Sequence, residues 1–362
     1  MNYGRKNGNG ESIGNRMITS VRIKNFRCFR EVNLRDCRNI NVIVGENASG
    51  KTAILEAMYL AAGQTPELAL RIRKWRGYDV SARGDFDQID EAIWSDLFRN
   101  YDLDNIVSVD LKGTDVSNRT LKISWKDREI ISPVSDDLSS AGFTSAIEFR
   151  WMRKNKKIAV IRPQFSAGKG FTFFSSDRDK ISASFFSSAM PYNVEENVRH
   201  FSKMKSARKE SFFINAMKTE FPFISGIEVL SHCGVSMLHA DISSLPHMIP
   251  LSAVSSGVSK LSALLLAMSE HYGGALLVDE IENGFHYSIM ESIWRTLYEF
   301  SSKNNVQIFA STHSAECLEA LANATVDNPS DVTLIRTSID SDGGSNVEQF
   351  IGVESAKYGE LR

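Results

Sequence analysis

Gly45-Glu46-Asn47-Ala48-Ser49-Gly50-Lys51-Thr52 sets a glycine, four residues, a second glycine, a lysine and a threonine in one contiguous run. A glycine turn leading into a helix start points several backbone N–H groups at one spot, where the helix dipole also favours negative charge. A polyphosphate suits that spot: the Lys51 ammonium neutralises terminal phosphates and the Thr52 hydroxyl can ligate Mg²⁺. A second run, Ala275-Leu276-Leu277-Val278-Asp279-Glu280, is apolar and ends in two carboxylates. Beside a polyphosphate, Asp279 can hold Mg²⁺ and Glu280 can polarise an attacking water; taken alone, the run also suits a strand entering a polar loop. A third, Val306 to Ser314, ends in Ser311-Thr312-His313-Ser314. His313 can hydrogen-bond a γ-phosphate or the attacking water, or it can simply precede a helix capped by Ser314. A fourth, Leu251 to Lys260, sets Ser255-Ser256-Gly257 before an apolar stretch. That is a second anion-binding helix start or an ordinary serine cap. One nucleotide needs only one phosphate cradle, so a second would let a nucleotide bridge two copies.

The surrounding sequence supplies the elements these residues need. Ile40 to Val44 reads as a buried strand entering the glycine loop, and Thr52 to Gly63 as the helix leaving it, with Pro66 beyond its end. Ile18 to Phe26 and Phe29 to Leu34 alternate as a hairpin does. Pro66 to Arg99 reads as helical. The chain then changes character, with short strands at Ile106 to Leu111, Leu121 to Trp125, Ile158 to Ile161 and Gly226 to Leu230, a Ser/Phe-rich stretch from Phe165 to Ser188, and a helical stretch from Val194 to Phe221. An α/β rhythm returns after Ile249: helix Val258 to Tyr272, strand Ala275 to Val278, helix Ser288 to Ser302, strand Val306 to Ser311. A hairpin of Val332 to Ile339 and Val347 to Ile351 follows. No sustained heptad pattern supports a long coiled coil. The expected organisation is a tail over 1–16, an N-terminal lobe over 17–104, an inserted α+β subdomain over 105–248 and a C-terminal lobe over 249–362.

With 362 residues, the chain suits about two domains. Its formal net charge of −2 announces no nucleic-acid partner as a whole, which leaves local clusters. Arg71 to Arg76, Arg150 to Lys157 and Arg199 to Lys209 are such clusters, with Trp75 and Trp151 nearby for base stacking; solvated faces balanced by acids account for them equally. The four cysteines, Cys28, Cys37, Cys233 and Cys317, form no C-x-x-C pair, which argues against a zinc site or a disulfide framework. The Gly/Asn-rich tail has no signal-peptide core, and no apolar run is long enough to span a bilayer. A cytoplasmic location is expected. Asp340-Ser341-Asp342 resembles a nuclease Asp-x-Asp, but the following Gly343-Gly344-Ser345-Asn346 reads as a hairpin turn.

Taken in this order, the four runs resemble the ATPase heads of the ABC, SMC and RecF superclass, and most closely the OLD-like ATPases often labelled AAA. The opening Ile23-Lys24-Asn25-Phe26-Arg27-Cys28-Phe29 and the stretch Val278-Asp279-Glu280-Ile281-Glu282-Asn283-Gly284-Phe285-His286 extend the likeness, which covers the two ends of the chain. It implies an ABC-type P-loop head, a mixed sheet with flanking helices, interrupted by the α+β insertion. By this resemblance Lys51 and Thr52 are the Walker A pair, Asp279 and Glu280 the Walker B pair, Ser256-Gly257 the signature facing a partner's γ-phosphate, and His313 the switch histidine. The signature departs from the LSGGQ of transporters. Gln88 is the Q-loop glutamine that location offers, although a surface helix position accounts for it as well. The resemblance further implies ATP and Mg²⁺ as cofactors and a homodimer or larger assembly formed through ATP-bound heads. The Toprim nuclease domain of many OLD proteins is missing from the pattern. A separate effector, a nuclease or toxin from a neighbouring gene in a bacterial anti-phage system, is therefore expected. A RecF-like ATP-gated DNA clamp is the alternative, and a scaffold that binds ATP without hydrolysing it is disfavoured by the intact Glu280.

Overall fold

The computed structural model describes residues 18–78, 86–113, 118–126, 129–131, 142–154, 156–166, 170–173, 181–188, 193–232, 234–340 and 344–352. The expected N-terminal tail, Cys233 and the middle of the 340–346 turn lie outside them. The chain divides into two compact units. The first holds the residues up to Cys37, then Val44–Ala183 and Ile335–Gln349; the second holds Arg38–Ile43, Ser184–Leu334 and the residues from Phe350.

In chain order the first elements are β1 (Ile18–Phe26), β2 (Phe29–Leu34), β3 (Ile40–Gly45), α1 (Lys51–Ala62), α2 (Glu67–Trp75) and α3 (Phe86–Trp94). Next come β4 (Val107–Gly113), β5 (Arg119–Trp125), β6 (Glu129–Ile131), β7 (Gly142–Thr144), β8 (Ile147–Arg153), β9 (Lys156–Ile161), β10 (Gln164–Ser166), β11 (Gly170–Thr172) and β12 (Ala183–Phe186). The first unit is built on an antiparallel sheet of order β2-β1-β4-β5-β8-β9, with a small sheet of order β11-β10-β7-β6. Period-two alternation explains the large sheet: Val21 and Ile23, Val109 and Leu111, Leu121 and Ile123, and Phe149 and Trp151 all turn inward. α1 packs on this sheet, and ten of its twelve residues are buried, all but Thr52 and Tyr59. Trp151 belongs to this core. It is 0% exposed and its indole N–H donates to the Leu60 carbonyl at 3.2 Å. The expectation that Trp151 could stack on a base is thus corrected, because the alternation of β8 sends it to the face opposite Arg150. Trp75 is half-buried and lies against Tyr59, ring centres 5.8 Å apart.

Each basic cluster has members paired with acids. Arg71 meets Glu67, Arg150 meets Glu148, Lys203 meets Glu270 and Lys205 meets Glu228. Most buried is a group around Glu56 of α1, itself 2% exposed: Arg27 Nε approaches Oε2 at 2.9 Å, and Arg76 donates to both carboxylate oxygens at 2.8 and 2.9 Å. Asp96 joins the same group, 3.2 Å from both Arg27 and Arg73. Removing one member of a buried ion cluster strands the rest. Glu56→Ala is expected to lower unfolding stability by about 3–5 kcal/mol, measured by denaturant titration; a loss below about 1 kcal/mol would place the cluster with weak surface pairs.

The remaining elements are α4 (Val194–Ser206), α5 (Glu210–Glu220), β13 (Ile224–His232), β14 (Val235–Ile242), β15 (Ile249–Pro250), α6 (Leu251–Val254) and α7 (Ser256–Glu270). They continue with β16 (Ala275–Val278), α8 (Met290–Asn304), β17 (Gln307–Ser311), α9 (Ala315–Ala324), β18 (Val332–Ile339) and β19 (Ser345–Ile351). The helical stretch expected over Val194 to Phe221 is two helices, broken where Arg208 adopts φ 55°, a left-handed value that no helix interior accepts. A second six-stranded sheet runs β12-β16-β17-β3-β18-β19. Within it β16, β17 and β3 are parallel neighbours, with Val278 beside Ala310 and Ala310 beside Val42. All four residues of β16 are buried, as are all five of β17, which accounts for their unbroken apolar runs. α7 covers β16 and packs on α8; Val258 and every residue from Leu261 through Met268 are buried. No helix among the described residues is long and apolar enough to cross a membrane.

Candidate functional site

β3 delivers the chain into the glycine loop. Gly45 has φ 144° and Gly50 φ 100°, values that favour glycine, and Ala48 between them sits at φ 63°. The glycines are also sterically required: a Cβ on Gly45 would lie 2.1 Å from the Thr337 carbonyl, and one on Gly50 would lie 2.4 Å from the Phe29 ring. Ser49 is fully buried, donates to the Glu46 carbonyl at 2.7 Å, and lies 2.5 Å from the Thr337 hydroxyl, which donates to Val44 at 3.0 Å. Thr337, in β18, therefore braces the loop. No sequence signal marks it, because it stands almost three hundred residues away in an ordinary strand.

α1 starts at Lys51 with no side-chain cap on its first turn, so it offers its N-terminal end to an anion. Lys51 Nζ folds over the loop and donates to the Gly45 and Glu46 carbonyls at 2.7 and 2.8 Å. Glu46, Asn47 and Ala48 form the exposed crown, and the Thr52 side chain is half-buried at the helix start. These residues fit a polyphosphate: a glycine cradle that side chains would fill, an uncapped helix and a cation with loop carbonyls as its partners.

In the second unit, β16 ends at Asp279 and Glu280. Asp279 is 7% exposed, and its carboxylate receives the Ser311 hydroxyl at 2.6 Å and the Ser188 hydroxyl at 3.3 Å. Ser311 also accepts the Glu280 N–H at 2.9 Å, so one side chain from β17 fixes both acidic residues. β12 lies at the other edge of β16, with the Phe186 carbonyl accepting the Asp279 N–H at 2.8 Å. Glu280 is held at φ 49°. A left-handed glutamate costs about 1–3 kcal/mol and persists only where its surroundings impose it. Its carboxylate receives the Asn283 amide at 2.5 Å.

His313, at the end of β17, is exposed; its N–H and its Nδ1 both lie 3.1 Å from Glu282 Oε1. Ser314 caps α9 by accepting the Cys317 N–H at 3.1 Å. His313 thus stands directly before a capped helix. At the fourth run, Ser255 caps α7, accepting the Val258 N–H at 3.1 Å, while Ser256 is exposed. Gly257 packs so closely that a Cβ there would meet the Gly284 carbonyl at 2.7 Å. The structure thus groups Ser256, Gly257, Asp279, Glu280 and His313 around the turn that follows β16. Ser188, Ser311, Glu282 and Lys260 carried no assigned role in the sequence, although Ser311, Glu282 and Lys260 all lie inside the runs that carry the likeness. Gln88 is exposed on α3, and no group of three or more His, Cys, Asp or Glu suited to a metal occurs among the described residues.

Comparison with known proteins agrees with this geometry. An AAA ATPase domain model matches residues 17–159, and an AAA domain model, described by the AbiEii toxin and type IV TA system, matches residues 163–319. An ATP/GTP phosphatase of Helicobacter pylori is 24% identical over 332 residues, 84% of this chain and 87% of that one. The DNA replication and repair protein RecF of Chlamydia abortus is 51% identical over 43 residues, 12% of each chain. An SMC head, solved bound to the C-winged helix domain of ScpA, superposes with a TM-score of 0.51 at 15% identity, covering 94% of this chain and 99% of that one. The fold is that of an ABC-type P-loop ATPase head, and the two AAA domain models together span most of the chain.

Proposed function

We propose that this protein binds ATP with Mg²⁺, hydrolyses it to ADP and phosphate, and assembles through the bound nucleotide into a homodimer or larger complex that controls a separate effector. The observation that carries the reading is the presence in one chain of two helix starts suited to phosphate, α1 with its glycine loop and Lys51, and α7 with the exposed Ser256. In this reading the loop Gly45 to Thr52 and Lys51 hold the phosphates. Ser256 and Gly257 meet the γ-phosphate of a nucleotide held by a second copy. Thr52 and Asp279 would supply hard oxygen ligands to Mg²⁺. When bound there, the metal would supply neutralising charge for the transferring phosphate. Glu280 takes the proton of the attacking water, and His313 donates to the γ-phosphate.

The OLD-like motif order and the toxin-related description of the 163–319 match support an effector-controlling ATPase in a bacterial anti-phage system. A second reading, a RecF-like ATP-gated DNA clamp, is favoured by the RecF match. It also draws on the cavity of about 590 Å³ at the β8–β9 hairpin, which Arg153, Lys154, Lys156, Lys157 and Ile158 line. Light scattering of the purified chain tests assembly: the mass is expected to double or more with Mg²⁺ and ATP and to fall back as ADP forms. An unchanged monomer mass at saturating ATP would overturn the shared-nucleotide reading. Stoichiometric ATP-dependent binding of duplex DNA by the isolated protein would favour the clamp, and co-purification with the product of an adjacent gene would favour effector control.

A further inference from the structure

Lys260 is 3% exposed on α7, one turn beyond the Ser255–Gly257 helix start. Buried lysines are rare unless paired, yet the Nζ of this one sits on backbone, donating to the Glu280 carbonyl at 2.8 Å and the Asn283 carbonyl at 2.9 Å. It also lies 5.6 Å from the centre of the Phe285 ring. Those two carbonyls are the ends of one turn, closed by the Asn283 N–H on the Glu280 carbonyl at 3.1 Å. The same turn holds Glu280 at its left-handed φ of 49° and lets the Asn283 amide grip the Glu280 carboxylate. A second contact ties the same two segments: Gly257 packs against the Gly284 carbonyl, with no room for a Cβ. Burial holds the Lys260 pKa down to about 8, with Glu282, Glu280 and Asp279 opposing that fall.

We propose that Lys260 is a positioning residue, a strut through which the helix start at Ser256-Gly257 sets the backbone of Glu280 and thereby the aim of its carboxylate. The proposal rests on the reading of Glu280 as the base that activates water. The strained φ needs an external restraint, and a charged donor on two carbonyls is a strong one. A neutral, closely sized side chain at 260 would leave both carbonyls without their cation and let the turn relax towards ordinary φ. The helix start would then no longer be rigidly linked to the turn. Lys51 and the glycine loop keep their own contacts to the Gly45 and Glu46 carbonyls, so nucleotide affinity should be spared.

The test compares Lys260→Met, Lys260→Arg and Glu280→Gln in the full chain, reading kcat and KM for ATP with Mg²⁺ together with the melting temperature. Lys260→Met is expected to lower kcat about 10- to 100-fold, the range a small misplacement of a catalytic group produces, with KM within about threefold of wild type. Lys260→Arg, which keeps a charged donor, is expected to recover most of that loss. A Lys260→Met protein with wild-type kcat overturns the proposal, as does one whose KM rises in step with the loss of kcat. If Lys260→Met does not fold, Lys260→Gln replaces it; a fall in kcat of about fivefold or more at unchanged KM supports the strut, and wild-type kcat overturns it. Glu280→Gln separates the two readings. If it is inactive while Lys260→Met is normal, only the strut fails; if it turns over ATP at the wild-type rate, the base assignment fails and the strut with it.

Discussion

Lys51→Ala is expected to weaken ATP binding by about 10²–10⁴-fold. The ammonium would make at least two charge-assisted hydrogen bonds to phosphate oxygens, each worth about 1.5–3 kcal/mol, and about 1.4 kcal/mol is a factor of ten. No other cation stands in the loop itself: Glu46 and Asn47 flank it, and the remaining positions are small. The same Nζ donates to the Gly45 and Glu46 carbonyls. The variant therefore loses both the ligand contact and a restraint that keeps the cradle formed. Displacement of a fluorescent ATP analogue measures the effect, and an affinity within threefold of wild type would remove the loop from the binding site. Its folding should survive, since the Ser49–Thr337 contact does not involve Lys51 and nine other residues of α1 are buried.

Glu280→Gln is expected to lower kcat by about 10²–10⁴-fold, the usual contribution of a general base, with ATP affinity retained or raised. Glutamine keeps the length of the side chain and can still hydrogen-bond Asn283, so the turn and its φ should persist. What it cannot do is take a proton from water. Because binding outlasts turnover, the ATP-bound assembly should accumulate, visible as a species of doubled or larger mass that does not decay over the time in which wild type reverts. Single-turnover hydrolysis at the wild-type rate would assign the base elsewhere.

Much of this was legible in the sequence because its chemistry is local. Gly45 to Thr52 are contiguous, and each residue type follows from what a helix start and a phosphate demand. The buried parallel strands β16 and β17 were equally plain, since strands covered on both faces read as continuous apolar runs. β12 was not: Ala183-Ser184-Phe185-Phe186 has no period of its own, and its place beside β16 is a matter of which sheet edge stood open. Trp151 shows a local signal outweighed by a louder one. Ile147, Phe149 and Trp151 alternate as a buried strand face does, but the basic residues between and after them drew attention to charge. The break at Arg208 escaped because neither glycine nor proline announces it.

Sequence by itself determined the phosphate-loop pattern, the apolar strands around it and, by resemblance, the class of fold, because glycine freedom, charge and apolar runs are properties of neighbouring residues. Tertiary structure decided how those residues are held. Thr337 reaches Ser49, Ser311 fixes Asp279 and Glu280 together, Glu282 takes His313, and Lys260 grips the turn that bends Glu280. Each is a contact between residues far apart in the chain, made by a side chain whose type alone permits many partners. Only the packing of strands and helices selects which one it meets.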